Sequence, residues 1–425
     1  MSSVRKQVIL CTVGTLFEWY EFTVFALLTP IISILFFPSS NHFAAMMSTF
    51  AIFASGFIMR PIGALFFGHI GDTIGRKSTL LMTVFLMTGA TVAIGLIPVG
   101  TFLSTTALVI CRLIQGFSTS GEYPGGLTLL AEQPDYKHKG LITSFGISGT
   151  GAGCFMGALI CAIILKCVGY ENMLHGGWRI PFLLAAPLGI LSFMLRKTIF
   201  ESNEFKKIEQ QGSIARAPIL QLFRHHWKNL GLMLCISILA NALMYINLLY
   251  LGNYSLGTHK LNTTDTTNIY MLVTFIYSIS ILFFGFLSDF IDKQFLLLTA
   301  CILILCSTYP LFELALSNSV SMQFLAQGIL SLILGMLLGA FSSILAESFP
   351  TAVRYTGLSV TLNIAASIFG GTAPIICGWL THYAGTPIAC AYYVILLAII
   401  ALSAIIFMII SQKILLIPQL KLMTK

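Results

Sequence analysis

Apolar residues in this chain come in long runs, each near the ~20 residues an α-helix needs to cross a bilayer. The runs lie at 8–37, 43–68, 78–99, 103–131, 141–169 and 178–197, then at 229–251, 268–290, 294–316, 321–346, 358–383 and 388–412. Twelve spanning helices are therefore predicted. The stretch Thr198–His226 is polar and charged, and it divides them six and six. This predicts an N-terminal six-helix bundle at 1–197, a cytoplasmic central loop at 198–228, a C-terminal bundle at 229–412 and a short tail at 413–425. The tail has no heptads, so no coiled-coil extension is expected.

Composition agrees with the pattern. Charged residues make up 9% of the chain and apolar ones 57%, against about 25% charged in a typical soluble domain. With a mean hydropathy of +0.91 this is an integral membrane protein. Met1–Gln7 leads into a run far too long for a signal peptide, so that run reads as the first span. The net charge of +8 then reads as topology and not as affinity for nucleic acid. Eighteen basic residues, among them Arg76, Lys77, Lys139, Arg196, Lys293 and Arg354, flank one side of the spans. Only Lys166, Arg179 and Lys260 flank the other. That bias places both termini in the cytoplasm. The ten cysteines form no Cys-x-x-Cys pair and read as small packing residues.

The two halves echo each other. Gly68-His-Ile-Gly71-Asp72 follows span two, and Gly285-Phe-Leu-Ser288-Asp289 follows span eight, at an offset of 217 residues. Glu132 stands seven residues before Lys139, and Glu347 seven before Arg354, at an offset of 215. Two independent motifs in nearly one register indicate parallel six-helix repeats, the architecture in which one half rocks against the other around a midplane site. The acid-then-base spacing predicts ionic latches between the halves.

Five charges break the apolar runs: Glu18, Glu21, Arg60, Arg112 and Glu122. Charge inside a membrane costs several kcal/mol and persists mainly where it lines a pathway or pairs with a neighbour. Glu18 and Glu21 are three apart, hence about one turn from each other on one face. Two carboxylates in an apolar wall cannot both ionise cheaply, so Glu18, Glu21 and Glu122 are the candidate proton carriers. Counting ~1.5 Å per residue puts Arg60, Glu122 and Glu18 in one layer of the first half, so Arg60 is expected to neutralise an acid or hold a substrate carboxylate. Arg112 lies nearer the outer side with Gln115 one turn below. The second half offers Asn241 and Tyr245 at i, i+4 and Asn363, where an aromatic ring could cradle a quaternary ammonium. Gly149, Gly153 and Gly157 give a small-xxx-small spacing in span five.

The run Gly68-x-x-Gly71-Asp72-x-x-Gly75-Arg76-Lys77 resembles the loop signature of the major facilitator superfamily. Four stretches are similar to its metabolite–proton symporter branch: Phe17-Glu18-Trp19-Tyr20-Glu21-Phe22, Arg60-Pro61-Ile62-Gly63, the segment Arg112 to Tyr123, and Gly177-Trp178-Arg179-Ile180-Pro181-Phe182. Glu347 to Gly357 fits the same branch. The resemblance implies an all-α major facilitator fold in a bacterial cytoplasmic membrane, with twelve helices in two pseudo-symmetric halves. It implies gating loops at Gly68, Gly71, Asp72, Gly75, Arg76, Lys77, Glu132, Lys139, Asp289, Glu347 and Arg354. Tyr20 and Tyr123, beside the acids in those motifs, join Arg60, Arg112, Gln115, Asn241, Tyr245 and Asn363 as the candidate solute site. This chain departs from the pattern at Glu21, usually Asp, at Thr73, usually Arg, and at Ser120, usually Gly.

The expected function is proton-coupled symport of a small organic solute by a monomer, with no cofactor beyond the proton gradient. Three buried acids against two buried bases favour a zwitterion such as proline or betaine, with a di- or tricarboxylate next and a non-transporting sensor more remote. Gly146-Ile147-Ser148-Gly149 matches a rhomboid-protease motif. No histidine lies inside a span to serve as its base, so no enzyme is expected. No Gly-x4-Gly-Lys-Ser/Thr loop is present for ATP.

Overall fold

A computed structural model describes residues 3–37, 42–133, 137–257 and 263–423, so Lys260 and Lys425 of the charge count lie outside the described residues. Twelve long helices carry the fold. They are α1 (Ser3–Phe36), α2 (His42–Thr73), α3 (Arg76–Leu96), α4 (Phe102–Ala131), α5 (Lys139–Val168) and α6 (Arg179–Lys197). Then come α7 (Trp227–Gly257), α8 (Thr263–Leu287), α9 (Lys293–Ala315), α10 (Val320–Glu347), α11 (Thr351–Ala384) and α12 (Ala389–Met423). Among the described residues ten are long and apolar enough to cross a membrane, and α2 and α4 complete the first six-helix bundle. Their outward faces are apolar, with Phe85, Ile190, Phe283 and Phe407 exposed. Trp379, Tyr383 and Tyr392 cluster near one end of the bundle, as aromatic rings do at a membrane–water boundary.

Sequence explains the joins. Gly75 sits at φ 124°, which an L side chain rarely adopts, and its turn separates α2 from α3. The small-residue stripe of α5 faces α1. A methyl group added at Gly149 would fall 2.8 Å from Thr12 O, and one at Gly157 3.0 Å from Thr23 Cβ. Two helices depart from regular geometry: α7 is π-helical over Ile246–Tyr250 and α11 over Ala365–Gly370. These segments mark no sequence pattern, and π turns are frequent at functional sites.

Each half packs on itself, α1 on α5, α2 on α4 and α3 on α6 in the first, α8 and α9 on α10 and α7 on α12 in the second. The halves meet where α5 lies against α8 and α10, and where α2 and α4 lie against α11. This is the two-fold arrangement expected of the repeat. Two expectations change. The central segment is not a bare loop: it holds helices Asn203–Gln210 and Pro218–His225, which bury Phe205 and Leu222. The last helix runs on to Met423, past the expected end at 412.

Candidate functional site

The face that carries the basic clusters is sealed by reciprocal helix caps. Asp72, at the end of α2, accepts from the backbone N–H of Tyr355 (3.1 Å) and Thr356 (2.9 Å) at the start of the regular part of α11, and from the Thr356 hydroxyl. Asp289, just past α8, accepts from Gly140 N (2.6 Å) and Leu141 N (3.1 Å) at the start of α5. An anionic cap satisfies orphan amides and suits the positive end of a helix. Here each half caps a helix of the other. Gly68 and Gly71 sit against Thr356 and Tyr355, so α2 and α11 touch backbone to side chain.

The repeated acids and bases also pair crosswise. Arg354 reaches Glu132 at 3.0 Å, and Lys139 reaches Glu347 at 3.8 Å. Arg76 grips Glu132 with two nitrogens, at 3.1 and 2.9 Å, and donates to Thr351 O of the other half. Lys293 stands 217 residues after Arg76 and takes the corresponding place, its single nitrogen donating to both oxygens of the exposed Glu347 at 3.2 and 3.4 Å. Lys77 takes no part in the crossing and donates to Lys197 O. The central helices join in, a role the sequence reading missed. Glu201 caps the amides of Arg76 and Lys77, Phe205 lies 4.6 Å under the Arg76 guanidinium, and Glu204 pairs with Arg354 at 2.6 Å. Burial raises the Glu204 pKa, but the hydrogen bond and charge of Arg354 outweigh it, and the net shift is downward from 4.5. A depressed carboxylate contributes above its unpaired pKa and loses the contribution as pH falls through the lowered value. The Glu204–Arg354 contribution is therefore expected to persist from pH 8 into the acidic range, and Glu204→Gln to abolish the part of any acid-induced lengthening between spin labels at Thr73 and Ala352 that this pair carries. A lengthening near neutrality would assign the closing force elsewhere.

Between the halves lies a buried cavity of about 50 Å³, room for a few waters. Glu18 and Trp19 of α1, Arg60 of α2, Tyr123 of α4, Asn241 of α7, Tyr277 of α8 and Asn363 of α11 line it. Among the described residues both carboxylate oxygens of Glu18 lack a hydrogen-bond partner, as do Nε and Nη2 of Arg60. Arg60 is held instead between rings, its guanidinium 4.8 Å from Phe57 and 5.2 Å from Phe22. Phe57 in turn meets Phe22 and Tyr245 edge-on. Tyr245 thus belongs to the aromatic layer beside Arg60.

Several expected site residues face elsewhere. Tyr20 donates to Pro181 O at 2.7 Å, and Trp178 of the same motif is buried on Phe36 and Phe182, so that motif closes the far end of the first half. Glu21 turns toward α3 and accepts from Thr88 (3.0 Å) and Thr91 (2.6 Å). Gln115 donates to Thr91 and accepts from Arg112, so Glu21, Thr88, Thr91, Gln115 and Arg112 form one polar chain inside the first half. Glu122 does not meet Arg60. It lies on the opposite side of α4 and takes Arg196 of α6, with Thr83 donating at 2.6 Å. Counting helix rise fixes depth but not direction around the axis, which is why the expected layer fails as a contact. Arg196, counted among the topology residues, is buried with about 1% of its side chain exposed. The available signal was charge balance, since Glu122 needs a partner and Arg196 is the innermost base of its cluster.

Two six-helix halves around a buried charged cavity, closed at one face by reciprocal contacts, define a multi-pass membrane carrier. The profile of the Major Facilitator Superfamily matches residues 12–371, and the chain belongs to that family. A putative proline/betaine transporter of Staphylococcus aureus (strain COL) is 35% identical over 420 residues, covering 95% of this chain and 88% of that protein. The proline/betaine transporter of Salmonella typhimurium is 31% identical, covering 94% and 82%. In fold the chain is similar to the proton:xylose symporter XylE, with a TM-score of 0.75 at 17% identity over 96% of this chain and 95% of that one. It is likewise similar to the human organic anion transporter MFSD10, with a TM-score of 0.70 at 15% identity over 95% and 100%.

Proposed function

We propose that this protein is a secondary transporter that carries a proline- or betaine-type zwitterion across a bacterial cytoplasmic membrane together with protons, its basic face and both termini in the cytoplasm. One observation carries the choice of solute. A buried carboxylate and a buried guanidinium, both with unmet hydrogen-bonding capacity, border one cavity and form no ion pair with each other. Leaving such groups unsatisfied is costly, so a ligand that completes them is strongly favoured. Proline completes both, its carboxylate accepting from Arg60 and its ammonium N–H groups donating to Glu18, whereas a betaine satisfies Arg60 and meets Glu18 by charge alone. Trp19, Tyr123 and Tyr277 offer ring faces to a quaternary ammonium. A dicarboxylate would satisfy Arg60 and set its second charge against Glu18. The names of the relatives point the same way.

The test is uptake of radiolabelled proline, glycine betaine and 2-oxoglutarate into proteoliposomes, with and without an inward proton gradient. Proline or betaine is expected to accumulate, and a protonophore to collapse the accumulation. Uptake of 2-oxoglutarate alone would reverse the solute assignment, and silence for all three would favour a sensor.

A further inference from the structure

Glu18 borders a second and separate space. Inside the first half, α1, α3, α4 and α6 enclose a chamber of about 10 Å³, near the size of one water. Glu18, Glu21, Glu122, Thr88 and Ser192 supply its polar wall. Glu18 thus stands between the inter-half cavity and this chamber, 4% exposed and with neither oxygen partnered. The other two acids are held differently. Glu122 is fixed as an anion, because Arg196 engages both of its oxygens and Thr83 donates to one. Among the described residues Glu21 touches no base, and the Thr88 and Thr91 hydroxyls hold it. The Thr91 hydroxyl also lies 2.9 Å from Met87 O, so its hydrogen has a second acceptor whenever Glu21 takes up a proton.

We propose that Glu21 is the proton store of the transport cycle and that Glu18 loads it through a single water in this chamber. In the step, the Glu18 carboxylic acid gives its proton to the water oxygen. The water passes a different proton to a Glu21 oxygen. Glu18 is left as a carboxylate, Glu21 as a carboxylic acid, and the water is unchanged.

The arrangement explains how proton and solute ride together, and in this it rests on the zwitterion reading. A proton kept on Glu18 would compete with the solute's ammonium, which gives exchange of one for the other. A proton moved on to Glu21 leaves Glu18 free to bind the ammonium, so both occupy the protein at once. Symport follows from two carboxylates separated by one water.

Full-length protein in proteoliposomes tests this with Glu21→Gln, Glu21→Asp and Glu18→Gln. Three readouts are needed: solute counterflow without a gradient, proton co-movement by a trapped pH dye, and the infrared carboxylic-acid band on adding solute. For Glu21→Gln, proton co-movement is expected to fall at least tenfold more than counterflow, and the solute-bound carboxylic-acid band to vanish. Glu21→Asp restores part of the co-movement, and Glu18→Gln loses both counterflow and co-movement. Survival of the band or of proton co-movement in Glu21→Gln would overturn the proposal. So would equal loss of counterflow and co-movement in both Glu21 variants, which marks a structural role. Wild-type protein that moves neither proline nor betaine would instead refute the solute assignment, and the store with it.

Discussion

Arg60→Ala is expected to lower proline and betaine uptake by about a hundredfold. Truncating one partner of a buried, hydrogen-bonded charge pair costs roughly 2–5 kcal/mol, and each 1.4 kcal/mol is a factor of ten. The guanidinium is pre-positioned by Phe22 and Phe57, so a carboxylate meets its fork without a large ordering cost. Arg60→Lys keeps the charge but loses the planar fork and its ring stacking, and uptake about tenfold below wild type is expected. Initial rates over a range of solute concentrations give the answer. The loss must appear in the concentration for half-maximal uptake as well as in the maximum. An unchanged concentration dependence in Arg60→Ala would move the solute carboxylate away from this residue.

The second large effect is on stability. Arg196→Met leaves the Glu122 carboxylate buried without its base, and Glu122→Gln strands the guanidinium. Breaking a buried pair by removing one partner costs roughly 3–5 kcal/mol, whereas replacing both with apolar groups of similar size is often neutral or better. Each single variant is thus expected to unfold well below the wild type in detergent, and Glu122→Leu combined with Arg196→Met to recover most of the loss. Thermal unfolding of the purified proteins measures this. A double variant as unstable as the sum of the singles would mean that each side chain is needed for contacts other than the pair.

Different features of the molecule were readable to different degrees from sequence. Twelve apolar runs matched twelve long helices, ten of which, among the described residues, are long and apolar enough to cross a membrane. The repeated spacing of Asp72, Glu132 and Lys139 with Asp289, Glu347 and Arg354 anticipated the pairing between halves, since two copies of one motif related by a two-fold axis meet reciprocally. Direction around a helix axis was not readable. Glu18 and Glu21 differ by three residues, about 60° of azimuth, and that is enough to send one to the inter-half cavity and the other to α3. Glu122 went to Arg196 for the same reason. The π segments of α7 and α11 arise from tertiary packing and left no periodic trace, whereas the two short helices between the bundles are amphipathic and open on Ser202 as N-cap and on Pro218, signals that were there to be read.

The two crossing ion pairs are related by symmetry but not in strength. At the α2–α11 edge Glu132 is wholly buried between Arg76 and Arg354. Between α5 and the end of α10 Lys139 and Glu347 stand 3.8 Å apart, with 21% and 45% of their side chains in contact with solvent. An exposed pair of that kind contributes about 1 kcal/mol at most and weakens with salt. The ionic part of the work of parting the halves is therefore lopsided, with most of it concentrated around Glu132.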